Sequence, residues 1–114
     1  MYIYDKVHEF ARELKNTPEV MNYKRALDKL NSNSTHKKMV EDLRKMQFEI
    51  YSLQLQGKEP SKEQMEAYSN ISNVISLNPE IHEFLEAEMR FLTLWQDMFK
   101  IITDTIGIDI NPGI

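Results

Sequence analysis

Residues 80–106 contain neither proline nor glycine, and two apolar lines run through them at alternating steps of three and four. Ile81, Leu85, Glu88, Leu92, Trp95, Phe99, Ile102 and Ile106 form one line. Phe84, Ala87, Phe91, Leu94, Met98, Ile101 and Thr105 form the other. This is the period of a helix, whereas a half-buried strand alternates by two. Together the lines cover more than half of the circumference, wider than the stripe by which a surface helix meets its core. The helix therefore needs packing partners on two sides.

Its length sharpens that requirement. At about 1.5 Å per residue, a helix over residues 79–106 reaches roughly 42 Å. A compact globule of 114 residues has a radius of gyration of about 13 Å, hence a diameter of roughly 35 Å. With no helix breaker to cause a sharp kink, the surplus apolar face implies a second subunit. A homodimer is the expectation.

The remaining chain follows the same grammar. Ile3, Val7, Phe10 and Leu14 mark a first helix, near residues 3–16. Thr17-Pro18 reads as an N-cap followed by proline at the first helical position, where its missing N–H costs nothing. Val20, Tyr23, Leu27 and Leu30 give a second helix over 18–31. The polar break Asn31-Ser32-Asn33-Ser34-Thr35 offers several N-caps for a third, over 34–56, marked by Met39, Leu43, Met46, Ile50 and Leu53. Gly57 stops it. Ser61 and Gln64 are spaced as a capping box for a fourth helix over 62–77. Its apolar residues split between Met65, Tyr68, Ile75 and Ala67, Ile71, Val74. Asn78-Pro79 opens the fifth helix, and Gly107 and Pro112 close it ahead of a short tail from about residue 107. The fold class is all-α: a single domain over 1–114, an elongated bundle of about five helices with long third and fifth helices.

Composition removes whole classes of chemistry. The chain has no cysteine, so thiolate zinc sites, cysteine-held iron–sulfur clusters, disulfide frameworks and thiol nucleophiles are excluded. Three glycines leave no Gly-rich phosphate cradle. No basic stretch followed by an apolar run opens the sequence, and no uncharged stretch approaches a membrane span. A soluble cytoplasmic protein without membrane contact is expected. His8, His36 and His82 are scattered. A di-metal bundle needs paired Glu-x-x-His motifs, and only Asp5-x-x-His8 approaches one. No cofactor or metal is expected, and no catalytic residue is assigned. With no serine-hydrolase, zincin or P-loop signature, the chain is not expected to be an enzyme.

Three features remain as candidate sites. Glu88 is the charged residue within the main line of the last helix. A carboxylate there is either a general acid or base with a raised pKa, or a polar seam residue that sets register or oligomer state. The second reading is preferred because no other catalytic group can be tied to it. Phe91, Leu94, Met98 and Ile101 form a candidate protein-contact surface, since methionine-bearing apolar faces adapt to partner helices. Trp95, Met39 and Met46 lie on seams and read as core or dimer contacts. Finally, charge is uneven. Between Lys24 and Lys45 seven basic residues face three acidic ones, a local +4 within a chain of −4, leaving −8 elsewhere. Lys37, Lys38, Arg44 and Lys45 share one side of the third helix. They form either a solvated face or an RNA-contacting patch, the first preferred because no aromatics interleave for base stacking.

The motifs resemble those of a known family. Ile-Tyr-Asp near the start, Thr-Pro-Glu-Val-x-x-Tyr-Lys at 17–24, Leu-Gln-Leu-Gln-Gly-Lys at 53–58 and Asn-Pro-Glu-Ile at 78–81 leading into Glu86-Ala87-Glu88 resemble the YlbF/YmcA/YheA family of small bacterial helical proteins. The likeness spans nearly the whole chain and is nearest the YheA-like branch. It implies an all-α fold, self-association and a non-enzymatic regulatory or adaptor role. In relatives that role is competence, sporulation and biofilm control through a complex affecting mRNA processing. Some relatives help hold iron–sulfur clusters through cysteines, which this chain lacks, so no cofactor and no site residue carries over. The expected function is thus an adaptor or regulator acting through an unidentified protein partner. The alternative is an RNA-associated protein using the basic face.

Overall fold

A computed structural model describes residues 2–109. They form five helices: α1 (Tyr2–Lys15), α2 (Pro18–Asn31), α3 (Ser34–Leu55), α4 (Lys62–Ser76) and α5 (Pro79–Ile106), with no strand among the described residues. The expected all-α class is present, with α3 and α5 the longest helices at 22 and 28 residues.

Local hydrogen bonds explain where each helix begins. The Thr17 hydroxyl donates to the Leu14 carbonyl at 2.8 Å and accepts from the Val20 N–H at 3.4 Å, so one side chain joins the end of α1 to the start of α2. The Asn33 carboxamide oxygen accepts from the His36 N–H at 3.1 Å, which selects Asn33 from the polar break as the cap of α3. Ser61 and Gln64 make the reciprocal capping box of α4, at 3.1 and 2.8 Å. Asn78 Oδ1 accepts from the Ile81 N–H at 3.1 Å and caps α5. Each cap gives an otherwise orphaned first-turn donor a partner.

Two glycines set the helix ends. Gly57 has φ +72°, and the Lys58 N–H reaches back to the Leu53 carbonyl while the Gly57 N–H reaches Gln54, a Schellman termination. Gly107 has φ +70°, and its N–H bonds the Thr103 carbonyl in the simpler left-handed cap. A side chain at either position would meet backbone strain, because L-residues disfavour this region. Pro112 lies outside the described residues.

The chain divides into two compact units. The unit of residues 25–85 holds the last turns of α2, all of α3 and α4, and the start of α5. Its core is Ala26, Leu30, Val40, Leu43, Ile75, Ile81 and Phe84, with Ile81 fully buried. Here α3 and α4 pack as a pair of helices joined by the Gly57–Ser61 connection. Of the two lines on α4, only Ile75 enters this core; Met65 of its own line and Ala67 and Val74 of the other are exposed.

The second unit comprises residues 1–24 and 86–114. None of its described residues is buried. The apolar line of α1 is the extreme case: Ile3, Val7 and Phe10 are 56%, 55% and 47% exposed. The sequence pattern of α1 is as regular as that of α3, but within one chain it has no core to enter.

Candidate interaction surfaces

In the unit of residues 1–24 and 86–114, Tyr23 of α2 meets α5. Glu88 and Phe91 stand three residues apart on α5 and so share a face. The Tyr23 ring stacks on Phe91 with centroids 5.2 Å apart, and its hydroxyl donates to Glu88 Oε2 at 3.0 Å. Phe91, Trp95 and Phe99 continue as a ladder at helical spacing, with centroid separations of 6.1 and 5.7 Å. Glu88 is thus half-buried beside a hydroxyl donor. Such a contact fixes the rotation of α5 against α2.

Phe91, Leu94 and Met98 are half-buried, and Ile101 beyond them is 64% exposed. The other line of α5 contributes more open apolar surface, at Leu92, Trp95, Ile102 and Ile106. The available face is therefore broader than the second line alone and includes Trp95, which the sequence reads as a core or dimer contact.

The basic residues of α3 are differently occupied. Lys38 Nζ lies 2.8 Å from Asp42 Oδ1, one turn along. This hydrogen bond, and then the Asp42 charge, holds the Lys38 pKa above its ordinary value. The Arg44 guanidinium sits over the buried Phe84 ring at 5.7 Å, a cation–π placement. Lys37 and Lys45 are exposed. Two of the four cations thus point into contacts within their own unit.

A further polar junction escaped the sequence reading. Because Asn78 Oδ1 is taken by the Ile81 N–H, its amide nitrogen faces His36 Nε2 at 3.0 Å and donates to it. The neutral ring then carries its proton on Nδ1. That nitrogen is buried without a hydrogen bond, and Glu80 Oε1 stands 3.6 Å away. His36 thereby ties the first turn of α3 to the cap of α5. The sequence marks each residue as part of an Asn-led helix start, Asn33-x-x-His36 and Asn78-Pro79-Glu80, but not that the two starts meet.

Two small clefts lie along α3 and α4. One, of about 110 Å³, is lined by Met46, Glu49, Ile50, Gln64 and Ala67. The other, of about 270 Å³, is lined by Phe48, Glu49, Ser52, Leu53, Gln56 and Gln64. Glu49 is the ionisable side chain in each. Among the described residues no three His, Asp or Glu side chains gather as a metal site, and no helix is long and apolar enough to cross a membrane.

Comparison with known proteins gives a consistent picture. Residues 3–107 match the family model described as "Control of competence regulator ComK, YlbF/YmcA". A UPF0342 protein of Clostridium novyi is 41% identical over 109 residues, covering 96% of each chain. One from Halothermothrix orenii is 40% identical over 113 residues, covering 99% of this chain and 96% of the relative. Among solved structures, a protein of unknown function (DUF964) from Bacillus stearothermophilus is similar with a TM-score of 0.72. It covers 94% of both chains at 12% identity, a likeness of fold.

Proposed function

The chain belongs to the YlbF/YmcA family, and from that premise we propose that it is a non-enzymatic regulatory adaptor working by protein–protein contact. It acts in the cytoplasm as a homodimer, within the YheA-like branch of the family. The family description, control of a competence regulator, supports a regulatory role. One structural observation carries the contact reading: the unit of residues 1–24 and 86–114 presents aliphatic and aromatic side chains and, among its described residues, fully buries none of them. Exposed apolar patches of this kind mark interaction surfaces.

The rival use of the basic face on RNA is less well supported. Lys38 is paired with Asp42 and Arg44 lies over Phe84, so the cations available to phosphates are fewer than the sequence suggests. Affinity purification of the tagged protein from its host tests the two readings. A protein that co-purifies with the wild type, persists in high salt and is lost with Ile101→Asp at unchanged helix content supports the adaptor. RNA that co-purifies instead, falls away steeply with salt and is lost when Lys37, Lys38, Arg44 and Lys45 are reversed contradicts it.

A further inference from the structure

The exposed line of α1 has the pattern of a coiled-coil seam. Ile3, Val7, Phe10 and Leu14 step by four, three and four, as core positions of a heptad do. Lys6 and Glu13 flank the line on one side, and Tyr4 and Ala11 flank it on the other. All of these residues are exposed except Leu14, which is half-buried.

We propose that a second copy of this chain docks antiparallel along α1. This rests on the self-association proposed above and assigns its face, orientation and register. Across an antiparallel seam Ile3 meets the partner's Leu14, and Val7 meets the partner's Phe10. Two-fold symmetry repeats both contacts. In the same register Lys6 comes opposite the partner's Glu13, and Glu13 opposite the partner's Lys6. On the other flank the large Tyr4 faces the partner's small Ala11. Every flanking position finds a complement in charge or in size.

A parallel pair has none of this. It sets Phe10 on Phe10 and places Lys6 beside Ala11, while Glu13 looks past the end of the helix. It also aligns two helix dipoles that antiparallel packing opposes. Within one chain Lys6 lies 3.7 Å from Glu9 and 5.4 Å from the Tyr2 ring centroid, both exposed contacts that a swing toward Glu13 of the partner gives up cheaply. The rim charges choose the orientation, and the apolar seam supplies the attraction. Leu92, Trp95, Ile102 and Ile106 belong to the same unit and supply further apolar area.

Charge exchange on the purified full-length chain tests the register. Lys6→Glu sets Glu against Glu at both flanking sites, and Glu13→Lys sets Lys against Lys. Each variant alone should dimerise about tenfold more weakly than wild type in sedimentation. An equimolar mixture of the two should recover wild-type dimerisation, because both sites then pair opposite charges. Lys6→Gln, which removes the contacts within α1 without adding repulsion, should change little. Circular dichroism reports whether each variant stays helical. Independently, the absence of native cysteine allows Tyr4→Cys and Ala11→Cys chains to be mixed under oxidation. A mixed disulfide is expected, with neither chain linking to itself. A wild-type dimer unaffected by the charge variants, or cysteine chains that link only to themselves, overturns the antiparallel register while self-association stands. A wild-type monomer overturns both.

Discussion

The two units of this chain carry similar sequence patterns and reach opposite packing outcomes. Residues 25–85 bury seven apolar side chains, including the fully enclosed Ile81. The unit of residues 1–24 and 86–114 buries none among its described residues, although α1 and the later part of α5 carry equally regular 3–4 spacing. Periodicity states which face of a helix wants a partner. It does not state whether that partner lies in the same chain. In the first unit α3 and α4 cover one another, so the demand is met internally. In the other the demand is left open, which is why we assign it to a second copy.

Substitutions should separate the two units. Phe84→Ala empties a buried site in the internal core and should cost about 3–5 kcal/mol, independent of protein concentration, in denaturant unfolding. Leu92→Ala in the open unit should cost less than about 0.5 kcal/mol in dilute monomer. At high concentration its effect should grow, because unfolding is then linked to dissociation. Equal costs at all concentrations would erase the distinction between the units.

Polar joints come next in size. Asn78→Ala removes the cap of α5 and the donor to His36, and should lower stability by about 1–2 kcal/mol. Tyr23→Phe keeps the stack on Phe91 but loses the hydrogen bond to Glu88, and should cost about 0.5–1.5 kcal/mol. Thermal melts of both variants check the ordering.

The smallest expected effect is on the basic face. The Lys38 pKa is raised in the folded chain by the hydrogen bond from its ammonium to Asp42 and by the Asp42 charge. A raised folded pKa contributes stability that is present below the unfolded value and lost as pH rises through the folded one. Wild type and Lys38→Met should therefore differ slightly and constantly through neutral pH. That difference should fade above lysine's ordinary pKa of 10.5. A difference that instead appears in acid would contradict the pairing.

Helix ends were legible because their causes lie within four or five residues. Thr17, Ser61 with Gln64, Asn78, Gly57 and Gly107 act where their spacing indicates, and helix limits differ from the expected ones by no more than a residue. Which residue of the Asn31–Thr35 break caps α3 was not legible, because several of them carry a suitable oxygen. Asn33 takes the position. The longer connections were beyond pattern reading. His36 meets Asn78 across 42 residues and Tyr23 meets Glu88 across 65, and no local spacing encodes such contacts. Glu88 was legible as an unusual seam residue, but its partner Tyr23 was visible only once α2 and α5 were placed. The placement of Arg44 over Phe84 was beyond pattern reading for the same reason, since the two lie 40 residues apart in sequence.

The central claim is that the open unit is completed by a second copy of the chain. Sedimentation equilibrium of the purified protein at micromolar concentration tests it most directly. The account predicts a mass twice the 13.5 kDa of the chain, falling toward the single-chain value on dilution. A mass of one chain at every concentration would contradict it.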